Sequence, residues 1–424
     1  MALVLFITFV ILLLLNTPVG YAIGLAGLVA LLASDYPIAV ISQRMFTAFD
    51  SFPLMAIPFF ILAGALMETG GISTRIVRFA STLVGHYRGG LGMVAVLSCM
   101  LFSGVSGSAV ADAAAIGAAL IPAMTRRGYD PAFSASLVAS SAVMGPIIPP
   151  SIPMVLYGVL AGVSISDLFV AGIVPGLMIG VALMIVCYFE ALRHGYPREP
   201  RATLPEFFTV LRDAIWALMM PVVILGGILS GVFTATEAGV AAVVYALLVG
   251  KFVYRDLKWP HIKEALVGTV MATGVVMFLV ATSTLFAWLI TVERVPQMIA
   301  QTMLSWSSDV VVQLLLINVF LIVLGTVLDV APALILAVPI LLPLVKTLGV
   351  DPIHFGVIIV LNVVIGLITP PVAPTLVITA NIAKLSLDRV TNAIWKYLVT
   401  MIIVLGFVTY IPALSTWLPR LLRD

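Results

Sequence analysis

The sequence repeats itself in its glycines and prolines. Adding 221 to the residue numbers of Gly104–Pro153 gives Gly325–Pro374, without a gap. Gly104, Pro122, Gly128, Asp130, Pro131, Gly145, Pro149, Pro150 and Pro153 meet Gly325, Pro343, Gly349, Asp351, Pro352, Gly366, Pro370, Pro371 and Pro374. Glycine and proline specify backbone shape, so the two stretches are expected to share a fold. Each copy ends in a run that no regular helix tolerates. "SAVMGPIIPPSIPMVLYG" (Ser141–Gly158) and "NVVIGLITPPVAPTLVIT" (Asn362–Thr379) both place a Pro-Pro pair and a third proline inside an apolar segment. Each proline removes a backbone donor and clashes with the preceding turn. The expectation is a broken transmembrane helix in each copy.

The surroundings are those of a membrane protein. Hydrophobic residues make up 62% of the chain and charged residues 9%, and the mean hydropathy is +1.22. A soluble domain carries about 25% charged residues. Apolar segments fall near 2–33 (interrupted at Asn16-Thr17-Pro18), 52–68, 91–125, 131–160, 168–190, 214–232 and 237–252, then 264–290, 310–345, 352–382 and 393–416. Two of them, 91–125 and 310–345, are too long for one span and carry a break near the middle, "SGVSGSAVAD" and "LGTVLDVAP". Both read as re-entrant hairpins. The expected division is N-terminal scaffold or arm helices at 1–70, a first repeat at 91–190, a cytoplasmic loop and scaffold helices at 191–290, and a second repeat at 310–416. Cys99 and Cys187 lie in apolar segments and read as buried free thiols. The N-terminus has no basic n-region, so no cleaved signal peptide is expected.

Charge orients the chain. Arg75, Arg78, Arg88, Arg126 and Arg127 flank the first hairpin and place both its ends in the cytoplasm. Counting crossings puts Arg193, Arg198, Arg201 and Arg212 inside, with Lys251, Arg255, Lys258 and Lys263 after them. The second hairpin then enters from the opposite face, so the repeat is inverted. Arg420 and Arg423 run against this pattern.

Paired broken helices in an inverted repeat are the sequence mark of a secondary transporter's binding site. A break frees carbonyls that can ligate sodium and amides that can hold an anion. Irregular backbone survives at that depth only where protein buries it or where it lines a cavity. The hairpin tips add Ser103, Ser106, Ser108 and Asp112 in the first copy, and Thr326 and Asp329 in the second. An acid at membrane depth is a functional candidate; the competing reading is a helix cap. Glu237 in "GVFTATEAG" reads as the first turn of a Thr-capped helix, and Glu68 as a helix end near the interface. His86, His194, His261 and His354 have no metal-like spacing. Asn362, opposite Ser141 across the repeat, either lines the substrate path or bonds a neighbouring helix.

Five longer stretches carry a family resemblance: "IPFFILAGALMETGG", "GVSGSAVADAAAIGAALIPAM", "GYDPAFSASLVASSAVMGPIIPPSIPMVLYG", "GVFTATEAG" and "NVVIGLITPPVAPTLVITANIA". The chain resembles, along nearly its whole length, the large membrane (M) subunit of tripartite ATP-independent periplasmic (TRAP) transporters. The resemblance implies an all-α polytopic protein of the bacterial inner membrane with an elevator-type ion-transporter fold. It implies a sodium-coupled importer of a small organic acid, such as a C4-dicarboxylate, a sialic acid or a similar carboxylate, and not an enzyme. It further implies a separate small membrane (Q) subunit, a soluble periplasmic binding (P) protein and surrounding membrane lipid, with no organic cofactor and no nucleic-acid partner. Sodium ligation would come from Ser103 and Ser106 with Gly145 and Ile148, and from Gly325 and Leu328 with Thr369 and Val372. Ser108, Asp112, Thr326, Asp329 and Asn362 would serve substrate or coupling.

Two other readings remain at this level. A stand-alone sodium–dicarboxylate symporter shares the architecture and dispenses with the binding protein. An intramembrane aspartyl protease would use Asp112 and Asp329 as a dyad sharing a proton, but neither "GSAVAD" nor "GTVLD" shows the GxGD pattern of such proteases.

Overall fold

The computed structural model describes residues 1–307 and 309–422; Arg423 lies outside them. All regular structure among these residues is helical, and nine helices are long and apolar enough to cross a membrane. In chain order the α-helices are α1 (Ala2–Leu14), α2 (Val19–Leu32), α3 (Ala39–Thr47), α4 (Ala56–Thr69), α5 (Ile72–Val84), α6 (Gly90–Ser106), α7 (Ala109–Arg126), α8 (Pro131–Ala142), α9 (Ile152–Ala161) and α10 (Ile165–His194). The second half supplies α11 (Leu204–Leu229), α12 (Ala235–Leu248), α13 (Trp259–Val292), α14 (Val295–Trp306), α15 (Val310–Val327), α16 (Val330–Thr347), α17 (Pro352–Gly366), α18 (Pro374–Ala383), α19 (Leu387–Tyr410) and α20 (Ala413–Leu421). The N-terminal apolar stretch is two packed helices, parted at Asn16, whose φ is 60°.

The repeat reaches well beyond the stretch in which glycines and prolines match. At the same offset, α4 overlays the second half of α13, α5 overlays α14, the hairpin α6–α7 overlays α15–α16, and α10 overlays α19 with α20. Between α4 and its counterpart in α13 the chain crosses five times: in α4, the broken helix α8–α9, α10, α11 and α12. A hairpin returns to its own side and leaves this parity unchanged. Five is odd, so the copies are inverted.

Local chemistry explains each junction. Hairpin and broken helix are joined in both copies by Gly-x-Asp-Pro. Gly128 and Gly349 take positive φ, 85° and 73°. Asp130 and Asp351 then cap the next helix, accepting from Phe133 N and Ile353 N at 2.8 Å, and proline follows at the first helical position, where a missing N–H costs nothing. One difference between the breaks sets where each first half ends. Pro146 has no N–H to give Ala142 O, and α8 stops there. The second copy has Leu367 at that position, and α17 runs on to Gly366. Both breaks are closed by a hydroxyl on the same carbonyl: Ser151 Oγ donates to Pro146 O, and Thr375 Oγ1 donates to Leu367 O at 2.8 Å. The Pro149–Pro150 and Pro370–Pro371 bonds are both cis.

The copies interlock. The second half of each broken helix packs on the other copy: α18 on α7 and α8, α9 on α16 and α17. Outside this block, α4 and α13 pack together and carry α12 and α2 on their flanks. Glycines bring α2 close to α13, since a Cβ at Gly20 would sit 3.0 Å from Phe278 and one at Gly24 2.9 Å from Thr282. Small residues at such crossings let helices gain dispersion contact where lipid offers no hydrophobic drive.

Candidate functional site

Each hairpin tip ends on its own copy's break. In the first, α6 closes at Gly107 in the left-handed region (φ 62°), and Ser108 caps α7 by accepting from Ala111 N at 3.4 Å. A Cβ at Gly107 would lie 2.6 Å from Pro150 O. In the second, a Cβ at Gly366 would overlap the backbone of Gly325, and one at Gly325 would lie 2.8 Å from Val363 O. The tips therefore reach only the depth of the breaks, which is the geometry of re-entrant hairpins.

Asp112 is the centre of the first tip. It is fully buried in the first turn of α7. Its Oδ2 lies 3.0 Å from Ser103 Oγ, whose one proton it shares with Cys99 O at 2.6 Å. Ser106 Oγ donates to its Oδ1 and accepts from Ser108 N at 3.2 Å. Gly145 presses on the same group, since a Cβ there would sit 2.7 Å from Asp112 Oδ2. Ile148 lies one turn on, its side chain against Gly176 of α10. Among the described residues, no Lys or Arg pairs with Asp112. Ser108, not Asp112, is the helix cap.

The second tip is built differently. The offset sets Asp329 on Ser108, and like Ser108 it is an N-cap, accepting from Val330 N at 2.7 Å. Asp112 corresponds to Ala333, Ser103 to Leu324 and Ser106 to Val327. Thr326 Oγ1 donates back to Val323 O at 2.7 Å, and Thr369 Oγ1 to Ile365 O at 2.8 Å. Leu328 is buried at the end of α15, and Val372 is exposed. No hydrogen bond joins Asp112 to Asp329, so they form no acid dyad.

Asn362 stands apart from both tips. Its Nδ2 donates to Asn318 Oδ1 and Ile358 O, each at 2.8 Å. Asn318 Nδ2 donates to Thr409 Oγ1 at 3.0 Å, and His354 Nδ1 lies 2.6 Å from Ser415 Oγ. These residues tie α15, α17, α19 and α20 together in the interior. Glu237 forms a reciprocal cap with Thr234, its Oε2 accepting from Thr234 N at 2.8 Å.

A cavity of about 420 Å³ brings the halves together. It is bounded by Ser106–Ala111 of the first tip, Asp329–Ala331 of the second, Pro146, Ile152 and Pro153 at one break, and Leu367 at the other. Ile61, Gly64, Ala65 and Glu68 of α4, with Ala272 and Val276 of α13, form the facing wall. The N-terminal turns of α7, α9 and α16 thus all line it, and no Lys, Arg or His does. Glu68 is the wall residue that the sequence reading leaves at the interface. Its signal was the spacing 61, 64, 65, 68, one face of a helix with small residues above an acid.

Residues 6–414 match the family described as "Tripartite ATP-independent periplasmic transporter, DctM component". The chain is 36% identical to the C4-dicarboxylate TRAP transporter large permease protein DctM of Rhodobacter capsulatus, over 99% of both chains. It is 41% identical to the sialic acid TRAP transporter large permease protein SiaM of Vibrio cholerae, over 95% of both. It is also 41% identical to the isethionate TRAP transporter permease protein DctMQ of Oleidesulfovibrio alaskensis, over 97% of this chain and 65% of that one. The crystal structure of the Alcanivorax borkumensis YdaH transporter, described as having an unusual topology, superposes with a TM-score of 0.61 over 90% of this chain and 88% of its own, at 15% identity. The repeat, the spans and these matches lead to one conclusion: the chain belongs to the DctM family as the large permease of a TRAP transporter, a multi-pass transport protein of the bacterial inner membrane.

Proposed function

We propose that the permease couples sodium entry to import of a small organic anion, handed over by a periplasmic binding protein, through an elevator movement. The observation that carries this reading is the pairing of two unlike sites at one cavity. At the first tip, a fully buried carboxylate is joined by two hydroxyls and has no basic partner. Such a charge costs several kcal/mol of desolvation, which a bound cation offsets; oxygen-only surroundings suit a hard ion. Sodium cargo would meet Ser103, Ser106 and Asp112 there, with Gly145 alongside. The second tip would offer it backbone near Gly325, Leu328, Thr369 and Val372.

Substrate would occupy the cavity. Three helix N-termini supply orphan amides and positive dipole ends to an anion without any basic side chain. Glu68 and Asp329 put carboxyl groups on the same lining, which would direct the anionic group to the α7 and α9 ends. Named relatives act on a C4-dicarboxylate, a sialic acid and isethionate, so a small carboxylate or sulfonate is the substrate class. The interlocked hairpins and broken helices would move as a block against α2, α4, α12 and α13. The small permease would be a separate chain, unlike the longer DctMQ protein.

Reconstitution tests this. Proteoliposomes holding this chain with its small permease, supplied with binding protein and substrate, should take up substrate only under an inward sodium gradient. Uptake without sodium overturns the coupling, and uptake by this chain alone overturns the tripartite reading.

A further inference from the structure

On the cytoplasmic side, away from the transport cavity, α5, α11 and the segment Val253–Asp256 after α12 enclose a second cavity of about 560 Å³. Its basic residues differ in state. Arg75 is held on three sides, donating at 2.8 Å to Asp256 Oδ2 and to Gly71 O and stacking 3.8 Å from the Tyr254 ring centroid. Tyr254 is itself fixed, its hydroxyl donating to Asp213 O at 2.9 Å and accepting from Ala217 N at 3.1 Å. Arg78 and Arg212 line the same cavity from opposite helices, and neither has a protein partner among the described residues. Asp213 is the only acid there not engaged by Arg75. Immediately above it, α11 presents Ile215, Trp216, Met219 and Val222 exposed on its outer face.

We infer that this cavity binds the phosphate headgroup of an anionic phospholipid from the cytoplasmic leaflet. Arg78 and Arg212 contact the phosphate, and the acyl chains lie along Trp216, Met219 and Val222. Two guanidinium groups opening into a polar recess match a phosphodiester, and a basic pocket between helices on the cytoplasmic side is where such headgroups are recognised. The amphipathic α5 has the geometry for an interfacial position: Ile72, Ile76 and Phe79 face inward, and Arg75 and Arg78 face the recess. Trp216 at the boundary suits a ring that is half in lipid and half in water.

Native mass spectrometry of the detergent-solubilised complex with its small permease reads this out, with phosphatidylglycerol and phosphatidylcholine as probes. Wild type should retain phosphatidylglycerol over phosphatidylcholine. The double variant Arg78→Gln/Arg212→Gln should lose about tenfold or more of that retention, the scale of two basic residues at an anionic surface. Arg78→Lys/Arg212→Lys should keep part of it, and Arg193→Gln/Arg198→Gln, elsewhere on the cytoplasmic side, all of it. Equal retention by wild type and the Gln pair overturns the assignment. So does full displacement of the lipid by millimolar inorganic phosphate, which would make the ligand free phosphate.

Discussion

At the first hairpin tip, three side chains converge on the interior, Asp112 with Ser103 and Ser106; at the second, the same positions hold Ala333, Leu324 and Val327. The backbones around them share their main landmarks. Both tips meet the glycine that precedes a Pro-Pro break, both following helices begin at a side-chain cap, and both breaks are closed by a hydroxyl on the matching carbonyl. The symmetry is therefore one of shape. Glycine and proline preserve it, and the chemistry placed on it is free to differ. A cation at the first tip would meet a fully buried carboxylate and two hydroxyls, whereas at the second the Thr326 and Thr369 hydroxyls bond back to their own helices and Asp329 caps α16.

Making the second tip imitate the first is the severest challenge to this contrast. Ala333→Asp would bury a carboxylate beside Leu324 and Val327, with neither hydroxyl to meet it. A loss of several kcal/mol is expected, seen as failure to purify or a much lower unfolding temperature. Normal stability would mean that the hydroxyls are not what makes Asp112 tolerable. Glycine substitutions come next. In Gly366→Ala the new methyl meets the Gly325 backbone, which cannot swing aside, whereas in Gly145→Ala its nearest neighbour is the Asp112 carboxylate. Overpacking of this kind costs about 1–3 kcal/mol, and Gly366→Ala should sit at the upper end and Gly145→Ala below it, by thermal unfolding of the complex. The reverse order would count against this contrast between the tips. The smallest effect belongs to Asp329. As a cap it should cost about 0.5–2 kcal/mol when replaced by Ala and almost nothing when replaced by Asn. A large loss of stability in Asp329→Asn would show that its charge matters, not its cap.

The fold was legible in the sequence wherever backbone shape is written in residue type. Gly128–Pro131 and Gly349–Pro352 and the two Pro-Pro breaks stand at one offset, and each lies at a junction in the structure. The wider repeat was not legible, because α4 and α13, or α10 and α19, are plain apolar helices whose side chains vary without changing backbone. The inequality of the two aspartates was present in the numbering, since the offset carries Asp329 onto Ser108; similarity of residue type obscured it. Glu68 and the interior chain from Asn362 to Ser415 depend on which helix faces which, and local sequence does not specify that.

The central claim, that the two tips differ in chemistry, comes down to sodium and Asp112. Thermal unfolding of the purified complex should be followed in sodium chloride and in choline chloride, for wild type, Asp112→Asn and Asp329→Asn. A ligand that binds only the folded state raises its stability with concentration. Sodium should therefore raise the unfolding temperature of wild type and Asp329→Asn, and the shift should be largely lost in Asp112→Asn. A full sodium shift in Asp112→Asn would contradict the account.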